Sequence, residues 1–179
     1  IKTNLYLVLD DDIISLKEFG YNDLFTGNKI KFKGERDIMS QPQVWECSRD
    51  LLKLHKKTNI YKLRNTMSIT PEILITPVVN DMLKYLVHQH KGYRNLLQEM
   101  TRVSWTEYTL YWLYLRYVDQ KGVSYYKMDN FTCGDLTVYA EDFDKELQRT
   151  MQEKCGYFTI IQSNVYEYNI NAVKSALKL

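Results

Sequence analysis

A run of apolar residues near the start of the chain ends in three consecutive carboxylates. Residues 5–9 are Leu-Tyr-Leu-Val-Leu, and Asp10, Asp11 and Asp12 follow them directly. Because the apolar residues are continuous rather than alternating, the run predicts a strand that is buried on both faces. Buried strands of α/β proteins present functional groups at their carboxyl ends. This segment therefore favours a fold with a buried strand whose end carries three negative charges.

The three adjacent carboxylates repel one another unless a positive charge lies among them. The hard divalent cations Mg²⁺ and Mn²⁺ prefer oxygen ligands and also bind substrate phosphates. In an extended strand Asp10 and Asp12 point to the same face and can reach one metal ion, whereas Asp11 points away and can bind a hydroxyl group. A solvated acidic turn without a metal ion is the alternative interpretation.

The composition is that of an ordinary globular protein. The chain has 179 residues, of which 45% are hydrophobic and 26% charged, and this length fits a single domain over residues 1–179. The net charge of +2 implies no general attraction to nucleic acid. The longest apolar-rich stretch, residues 108–118, is shorter than a membrane span and contains Arg116. We therefore expect no nucleic-acid partner and no membrane span.

The cysteines indicate a reducing compartment. Cys47, Cys133 and Cys155 are far apart in the sequence, have no CxxC spacing and are odd in number. This pattern is typical of buried thiols rather than of a disulfide framework. We therefore expect a cytoplasmic protein.

Strand-like and helix-like segments are interspersed along the chain, which predicts the α/β class with a mixed sheet flanked by helices. Further strands are expected at residues 28–32, 59–64 and 157–161. Helices are expected at residues 44–53, from 77 to about 88, and at 93–100, 105–118, 142–154 and 172–177. Residues 14–19 are expected to be irregular or helical. Residues 69–77 predict a constrained loop, because each of its two prolines disfavours helix in the residue before it, and Thr76 is the expected N-cap of the helix that follows.

Two further polar segments contain candidate site residues. Ser104 and Glu107 have the spacing of a capping box, in which both side chains satisfy free N–H groups at a helix start. In the functional interpretation Glu107 accepts hydrogen bonds from a sugar or acts as a general base, and Trp105 stacks on a sugar face. Gln162 and Ser163 follow the late strand, where they either face the same crevice as the acidic residues or form an ordinary polar turn.

Other catalytic signatures are absent from the sequence. It contains no GxSxG, HExxH, Walker A or GxGxxG motif. The lack of a glycine-rich loop argues against P-loop and classical dinucleotide-binding enzymes. A metal ion held by carboxylates can bind phosphate in its place.

Four segments, taken in order, resemble the GT-A glycosyltransferases. They are Leu-Asp-Asp-Asp-Ile at residues 9–13, Thr-Pro-Val-Val at 76–79, Thr-Glu-Tyr-Thr-Leu-Tyr at 106–111 and Ile-Gln-Ser at 161–163. The series is similar to a group of poorly characterised GT-A-like proteins with an LDSD strand, a TEY-type helix start and a late IQS segment. Glycosyltransferases of large DNA viruses of algae have a comparable architecture. The resemblance covers most of the chain.

The resemblance implies a GT-A, Rossmann-like architecture and a metal-dependent hexosyl- or deoxyhexosyltransferase. The implied donor is a nucleotide-diphosphate sugar whose diphosphate is held by Mn²⁺ or Mg²⁺, and the acceptor is a glycan or another hydroxyl compound. A nucleotide-binding portion normally precedes the Asp-x-Asp strand of this fold, which implies that residues 1–179 are a fragment of a longer chain. A viral source would place the enzyme in the host cytoplasm.

The resemblance also implies roles for individual residues. Asp12 would be the direct metal ligand, and Asp10 would bind the metal ion or the ribose. The implied donor-binding residues are Asp10, Asp11, Thr76, Trp105, Gln162 and Ser163. If the enzyme inverts, Glu107 or Asp135 would deprotonate the acceptor hydroxyl, with Glu107 preferred. Since no histidine follows His90, Gln162, Ser163 or water would replace the late histidine ligand of many family members.

Two other classes of function are compatible with the same residues. A Mg²⁺-dependent phosphoryl- or nucleotidyltransferase also uses adjacent acids, typically with two metal ions. The only other dense acidic cluster, at residues 141–144, lies at a predicted helix start, where acids are favourable for structural reasons alone. A non-catalytic carbohydrate-binding module would use the aromatic residues, among them 15 tyrosines.

Overall fold

The computed structural model describes residues 4–10, 13–34, 38–67, 70–129, 132–136, 143–153, 156–161, 171 and 174–175. Strands and helices are interspersed along these ranges, which confirms the predicted α/β class. The strands are β1 (Leu5–Val8), β2 (Ile13–Ser15), β3 (Phe25–Thr26), β4 (Lys29–Phe32), β5 (Glu72–Ile75), β6 (Tyr126–Met128), β7 (Thr132–Leu136) and β8 (Phe158–Ile161). The α-helices are α1 (Pro42–Leu51), α2 (Thr76–Gln89), α3 (Tyr93–Met100), α4 (Glu107–Tyr114) and α5 (Phe143–Glu153).

The described strands form three small sheets rather than one mixed sheet. β1 pairs antiparallel with β5, and Val8 lies opposite Glu72. In the second sheet β4 lies between β3, to which it is antiparallel, and β6, to which it is parallel. In the third, β8 lies between β2, to which it is antiparallel, and β7, to which it is parallel. Two of the three sheets are therefore mixed, as expected, but each is small.

The hydrophobic core is built around α4. Every side chain from residue 108 to residue 115 is buried, because this helix is apolar on all sides and other elements surround it. The ring centroid of Phe32 on β4 lies 4.9 Å from that of Trp112. Inside the core, the hydroxyl oxygens of Ser48 on α1 and Thr109 on α4 are 2.7 Å apart and form a hydrogen bond. These contacts fix the position of α4 and of its N-terminus.

β1 is half-buried, so the prediction of a strand buried on both faces is wrong. All four of its side chains are partly exposed and pack against the rim of the core. The reason is that β1 belongs to a two-stranded ribbon, which covers less of each side chain than a larger sheet does. β8, by contrast, is buried at all four positions, as its apolar sequence predicts.

Several other segments differ from expectation. Residues 72–75, expected in a loop, form β5, because the apolar Ile-Leu-Ile run after Pro71 pairs with β1. Residues 59–64, expected as a strand, contain the 3₁₀-helix Ile60–Lys62. The first residues of the segment 14–19 belong to β2. Helices α1, α2, α3 and α5 lie where the sequence predicts them, whereas the predicted helix at 172–177 falls largely outside the described residues.

The long aromatic helix expected at residues 105–118 changes its pitch along its length. α4 gives way to a π-helix, Leu115–Asp119, and the 3₁₀-helix Gly122–Tyr125 follows. A Cβ atom at Gly122 would lie 2.0 Å from Cδ2 of the buried Leu115 and 2.4 Å from Oδ2 of Asp119. The absence of a side chain at Gly122 therefore allows the 3₁₀-helix to pack closely against the π-helix.

Within the described ranges, no helix combines the length and the apolar character needed to cross a membrane.

Candidate functional site

Asp10 lies just beyond the end of β1, and its side chain is exposed. Its Oδ2 accepts a hydrogen bond from the hydroxyl of Thr70, which is itself buried. The β1–β5 register explains this contact: because Val8 lies opposite Glu72, continuing the antiparallel pairing by two residues brings Asp10 to Thr70. The hydrogen bond orients one carboxylate oxygen, as outer-shell partners of metal ligands do.

Glu72, the first residue of β5, is a fully buried carboxylate. Its Oε2 accepts a hydrogen bond from the backbone N–H of Lys33 at 3.3 Å, which helps to offset the cost of burying a charge. Sequence reasoning missed this residue because residues 69–77 were expected to form a loop. The apolar residues 73–75 that follow it were the signal for a strand at this position.

The start of α4 is capped by two threonines. The hydroxyl of Thr106 accepts a hydrogen bond from the backbone N–H of Thr109 at 3.2 Å, and the hydroxyl of Thr109 accepts one from the N–H of Thr106 at 3.3 Å. The predicted capping box of Ser104 and Glu107 is therefore wrong. Glu107 is the first residue of the helix and its side chain is exposed, so its carboxylate is not used by the cap.

Tyr108 shows that three carboxylates share one electrostatic environment. Burial raises the pKa of its phenol far above the ordinary value, and the nearby charges of Glu107, Asp10 and Glu72 raise it further. Burial also raises the pKa of Tyr6 on β1, with a smaller contribution from Glu107. Glu107 thus acts on both phenols, whereas Asp10 and Glu72 act on that of Tyr108. The charges of Asp10 and Glu107, which are far apart in the sequence, thus both act on the phenol of Tyr108.

Two other candidates have structural roles elsewhere. Thr76 is buried at the start of α2, and its backbone N–H donates to the carbonyl of Asn4 at 3.0 Å. Asn4 precedes β1, so Thr76 and Asp10 lie at opposite ends of the β1–β5 ribbon. The N-cap position belongs to Ile75, so the predicted cap role of Thr76 is wrong. Trp105 is half-buried, and its indole N–H donates to the carbonyl of Met100 at 3.0 Å.

The remaining candidates lie wholly or partly outside the described residues. The backbone of Asp135 belongs to β7 and pairs with Ile160 of β8, in a sheet that includes neither β1 nor β5. Its side chain is not among those described. Four other predicted site residues fall outside the described ranges, namely Asp11, Asp12, Gln162 and Ser163.

Of the two predicted metal ligands, Asp10 and Asp12, the structure describes Asp10. Among the described residues, no group of three or more His, Cys, Asp and Glu side chains is arranged to hold a metal ion. The expected direct ligand, Asp12, lies outside the described residues. Asp10 fits the role of a ligand, because it is an exposed carboxylate oriented by the hydroxyl of Thr70.

Buried tyrosines hold β5 in place through its backbone. The hydroxyl of Tyr126 donates to the carbonyl of Ile73 at 2.9 Å and lies 2.8 Å from the hydroxyl of Tyr111. The Tyr111 hydroxyl accepts a hydrogen bond from the N–H of Ile75 at 3.2 Å. Burial raises the pKa of Tyr111 to about 12 and also raises that of Tyr126. Both phenols therefore keep their protons near neutral pH.

We expect the free energy of unfolding to fall as the pH rises from 10.0, the ordinary tyrosine value, through about 12, the pKa of Tyr111. A group whose pKa is raised by folding stabilises the folded state fully at a pH below its unfolded-state pKa. This stabilisation is lost as the pH rises through its folded-state pKa. Denaturant unfolding at a series of pH values, together with phenolate absorbance, measures this fall.

Tyr111→Phe should reduce the alkaline loss of stability, because it removes one of the groups whose pKa is raised. Tyr93→Phe is the matched control, since Tyr93 is 64% exposed, and it should leave the loss unchanged. If every tyrosine ionised near the ordinary pKa of 10.0 while the protein stayed folded, the prediction would be contradicted.

Sequence comparisons bear on the family of the chain rather than on the chemistry of the site. No match to the chain is found among the curated proteins. A profile of a family of unknown function, DUF6492, matches residues 1–178. Because this match spans nearly the whole sequence, the chain belongs to the DUF6492 family.

Proposed function

We propose that this protein is a metal-dependent glycosyltransferase of the GT-A type, which transfers a sugar from a nucleotide-diphosphate sugar to a hydroxyl acceptor. The observation that carries the proposal is the exposed carboxylate of Asp10 at the end of β1, which the hydroxyl of Thr70 orients, together with the charge of Glu107 that acts with it on Tyr108. Such a reaction needs a group that helps to neutralise the leaving diphosphate and, if it inverts, a base for the acceptor hydroxyl. A carboxylate at a strand end and another at a helix start suit these two tasks.

Asp10 and Asp12 would hold the metal ion. The hydrogen bond from Thr70 orients the carboxylate of Asp10, and the exposure of this side chain leaves room for a cation and a phosphate group beside it. When bound, Mn²⁺ or Mg²⁺ supplies positive charge that stabilises the departing diphosphate. Asp11 remains the candidate for a donor hydroxyl group.

Glu107 is the preferred base for the acceptor hydroxyl. Its side chain is exposed, so an acceptor can reach it, and the threonine cap leaves its carboxylate unused. Neighbouring Tyr108 keeps its proton because its pKa is raised far above the ordinary value, so it can donate a hydrogen bond but cannot act as the base. Asp135, the other candidate base, belongs to a different sheet from β1 and β5.

Asp10→Asn is expected to weaken metal-dependent binding of a nucleoside diphosphate by about tenfold or more, because it removes a charged ligand. Calorimetric titration with uridine and guanosine diphosphates, with and without Mn²⁺, measures this change. Asp81→Asn is the matched control, since Asp81 is an exposed residue of α2 whose carboxylate pairs with Lys84 at 2.9 Å. An affinity for the nucleoside diphosphate that changes neither with Mn²⁺ nor with the Asp10 substitution would contradict the proposal. Pyrophosphate release from nucleoside triphosphates would indicate nucleotidyl transfer instead.

A carbohydrate-binding module without catalysis is the second candidate, and an open groove favours it. The groove has a volume of about 550 Å³ and is lined by Tyr21, Asn22, Phe25, Gly27 and Asn28. The ring of Tyr21 is 67% exposed, and its centroid lies 4.8 Å from that of Phe25. Aromatic rings with a polar end suit amphipathic ligands such as sugars. Glycan binding that needs neither Mn²⁺ nor a nucleotide, and that Tyr21→Ala abolishes, would support the module.

A further inference from the structure

A second polar cavity, which we call the arginine cavity, lies between β4, β6 and the C-terminal end of α4. Its volume is about 150 Å³, and its lining includes Arg64, Asn65, Trp112 and Arg116. Phe32 and Tyr126 contribute aromatic walls. The arginine cavity shares no residue with the acidic site around Asp10, so it requires a separate explanation.

The arginine cavity carries two positive charges that the described protein does not neutralise. The side chains of Arg64 and Arg116 are both exposed. Neither forms an ion pair within the part of the chain that the structure describes. Guanidinium groups bind carboxylate and phosphate oxygens through two parallel hydrogen bonds. Two of them at one cavity therefore favour an anionic ligand with several oxygen atoms.

Trp112 adds a buried hydrogen-bond donor. Its side chain is 2% exposed and lines the arginine cavity, and its Nε1 has no hydrogen-bond partner among the described residues. Because the ring forms part of the wall, the resonance of its N–H group can report on a ligand in the cavity.

The backbone around the arginine cavity has two uncommon features. Arg116 belongs to the π-helix Leu115–Asp119, and π-helical turns are rare and frequently occur at functional sites. Asn65 has a φ of 55°, in the left-handed region that residues other than glycine seldom adopt. Both features involve residues that line the cavity, which is consistent with a site shaped for a ligand.

We propose that the arginine cavity binds the oxyanion group of a small ligand, a phosphate or a carboxylate. Arg64 and Arg116 supply the cationic donors, and the ring of Trp112 forms part of the wall. The volume equals that of about five water molecules. It is smaller than the roughly 300 Å³ at which pockets for whole drug-sized ligands begin, so it suits a single oxyanion group rather than a nucleotide. This proposal is independent of the proposed glycosyltransferase activity.

Nuclear magnetic resonance of the indole N–H groups tests the proposal. The chain has three tryptophans, and the resonance that Trp112→Phe removes is that of Trp112. The protein is titrated separately with inorganic phosphate and with acetate, at an ionic strength held constant with sodium chloride. We expect the Trp112 resonance to shift with saturation while those of Trp45 and Trp105 stay in place. A response to phosphate alone assigns a phosphoryl ligand, and a response to acetate alone assigns a carboxylate. No response to either ion would overturn the proposal.

Arginine variants test whether the guanidinium groups hold the anion. Arg64→Ala and Arg116→Ala should each raise the Kd of the responding ion by about tenfold or more, because each removes a charge-assisted hydrogen bond. Arg116→Lys should give an intermediate Kd, since it keeps the charge and loses the planar fork. Arg94→Ala, at an exposed position on α3, is the matched control and should leave the Kd unchanged. An equal loss in the Arg94 variant would show non-specific charge attraction and overturn the assignment.

Discussion

Glu107→Gln is expected to lower the rate of sugar transfer by about 10²- to 10⁴-fold, because the amide cannot accept the proton of the acceptor hydroxyl. The substitution preserves the size of the side chain. The cap formed by Thr106 and Thr109 does not use Glu107, so α4 should remain intact. The expected signature is a large fall in kcat with little change in the affinity for the donor. Steady-state transfer kinetics with the donor identified by calorimetry measure both quantities.

A matched control separates this effect from a general loss of charge. Glu99 is an exposed glutamate on the neighbouring helix α3, and Glu99→Gln should leave kcat unchanged. A Glu107 variant with normal kcat and weakened donor binding would assign Glu107 to donor recognition and contradict its role as the base. In that case Asp135→Asn becomes the next variant to measure.

Trp45→Ala is expected to lower the free energy of unfolding by about 3–5 kcal/mol, the largest stability effect that we predict. Trp45 is 0% exposed on α1 and belongs to the core around α4. The hydrogen bond between Ser48 and Thr109 ties α1 to α4, so the helix should not collapse easily into the space that the indole leaves. Urea denaturation should show a lower midpoint with an unchanged slope.

Two further variants establish the origin of the Trp45 effect. Met39→Ala removes a side chain that is 67% exposed and should change the free energy of unfolding by less than about 0.5 kcal/mol. Trp45→Phe should lower the free energy of unfolding by an intermediate amount, because it leaves a smaller cavity than Trp45→Ala. Equal stabilities for the Trp45→Ala and Met39→Ala variants would show that Trp45 does not pack as the structure describes.

The core and the candidate site are connected through α4. α4 is buried from Tyr108 to its last residue, Tyr114, and its first residue, Glu107, is exposed. On another side of the core, Tyr111 and Tyr126 hold the backbone of β5, and the pairing of β5 with β1 brings Thr70 to Asp10. The positions of Asp10 and Glu107 thus depend on hydrogen bonds and packing of the core rather than on their local sequence alone.

Local patterns were enough to predict most helices. The apolar periodicity of α2, the proline at the start of α1 and the polar–apolar pattern of α5 each involve neighbours within one or two helical turns. The late strand β8 was equally clear, because Phe158, Ile160 and Ile161 are apolar and the intervening Thr159 has a high strand propensity. These elements depend on short-range physics that the sequence contains directly.

The tertiary structure was needed to locate β5 and the N-cap of α4. Residues 72–75 lie between two prolines, which indicated a loop, and only pairing with β1 makes them a strand. Ser104 and Thr106 are both acceptable N-caps by local chemistry. The packing of α4 decides which of them caps the helix, and the N-cap in the structure is Thr106. Local rules could not rank these alternatives, because their energies differ through distant contacts.

By itself, the sequence determined the α/β class, most helix positions and the choice of Asp10 and Glu107 as candidate site residues. Only the tertiary structure decided that the charges of both carboxylates and of the buried Glu72 act on Tyr108, and that Arg64 and Arg116 line one cavity. The physical reason is separation along the chain. Asp10 and its hydrogen-bond partner Thr70 are 60 residues apart in the sequence. A contact over that separation arises only when the chain folds, so no local periodicity or spacing predicts it.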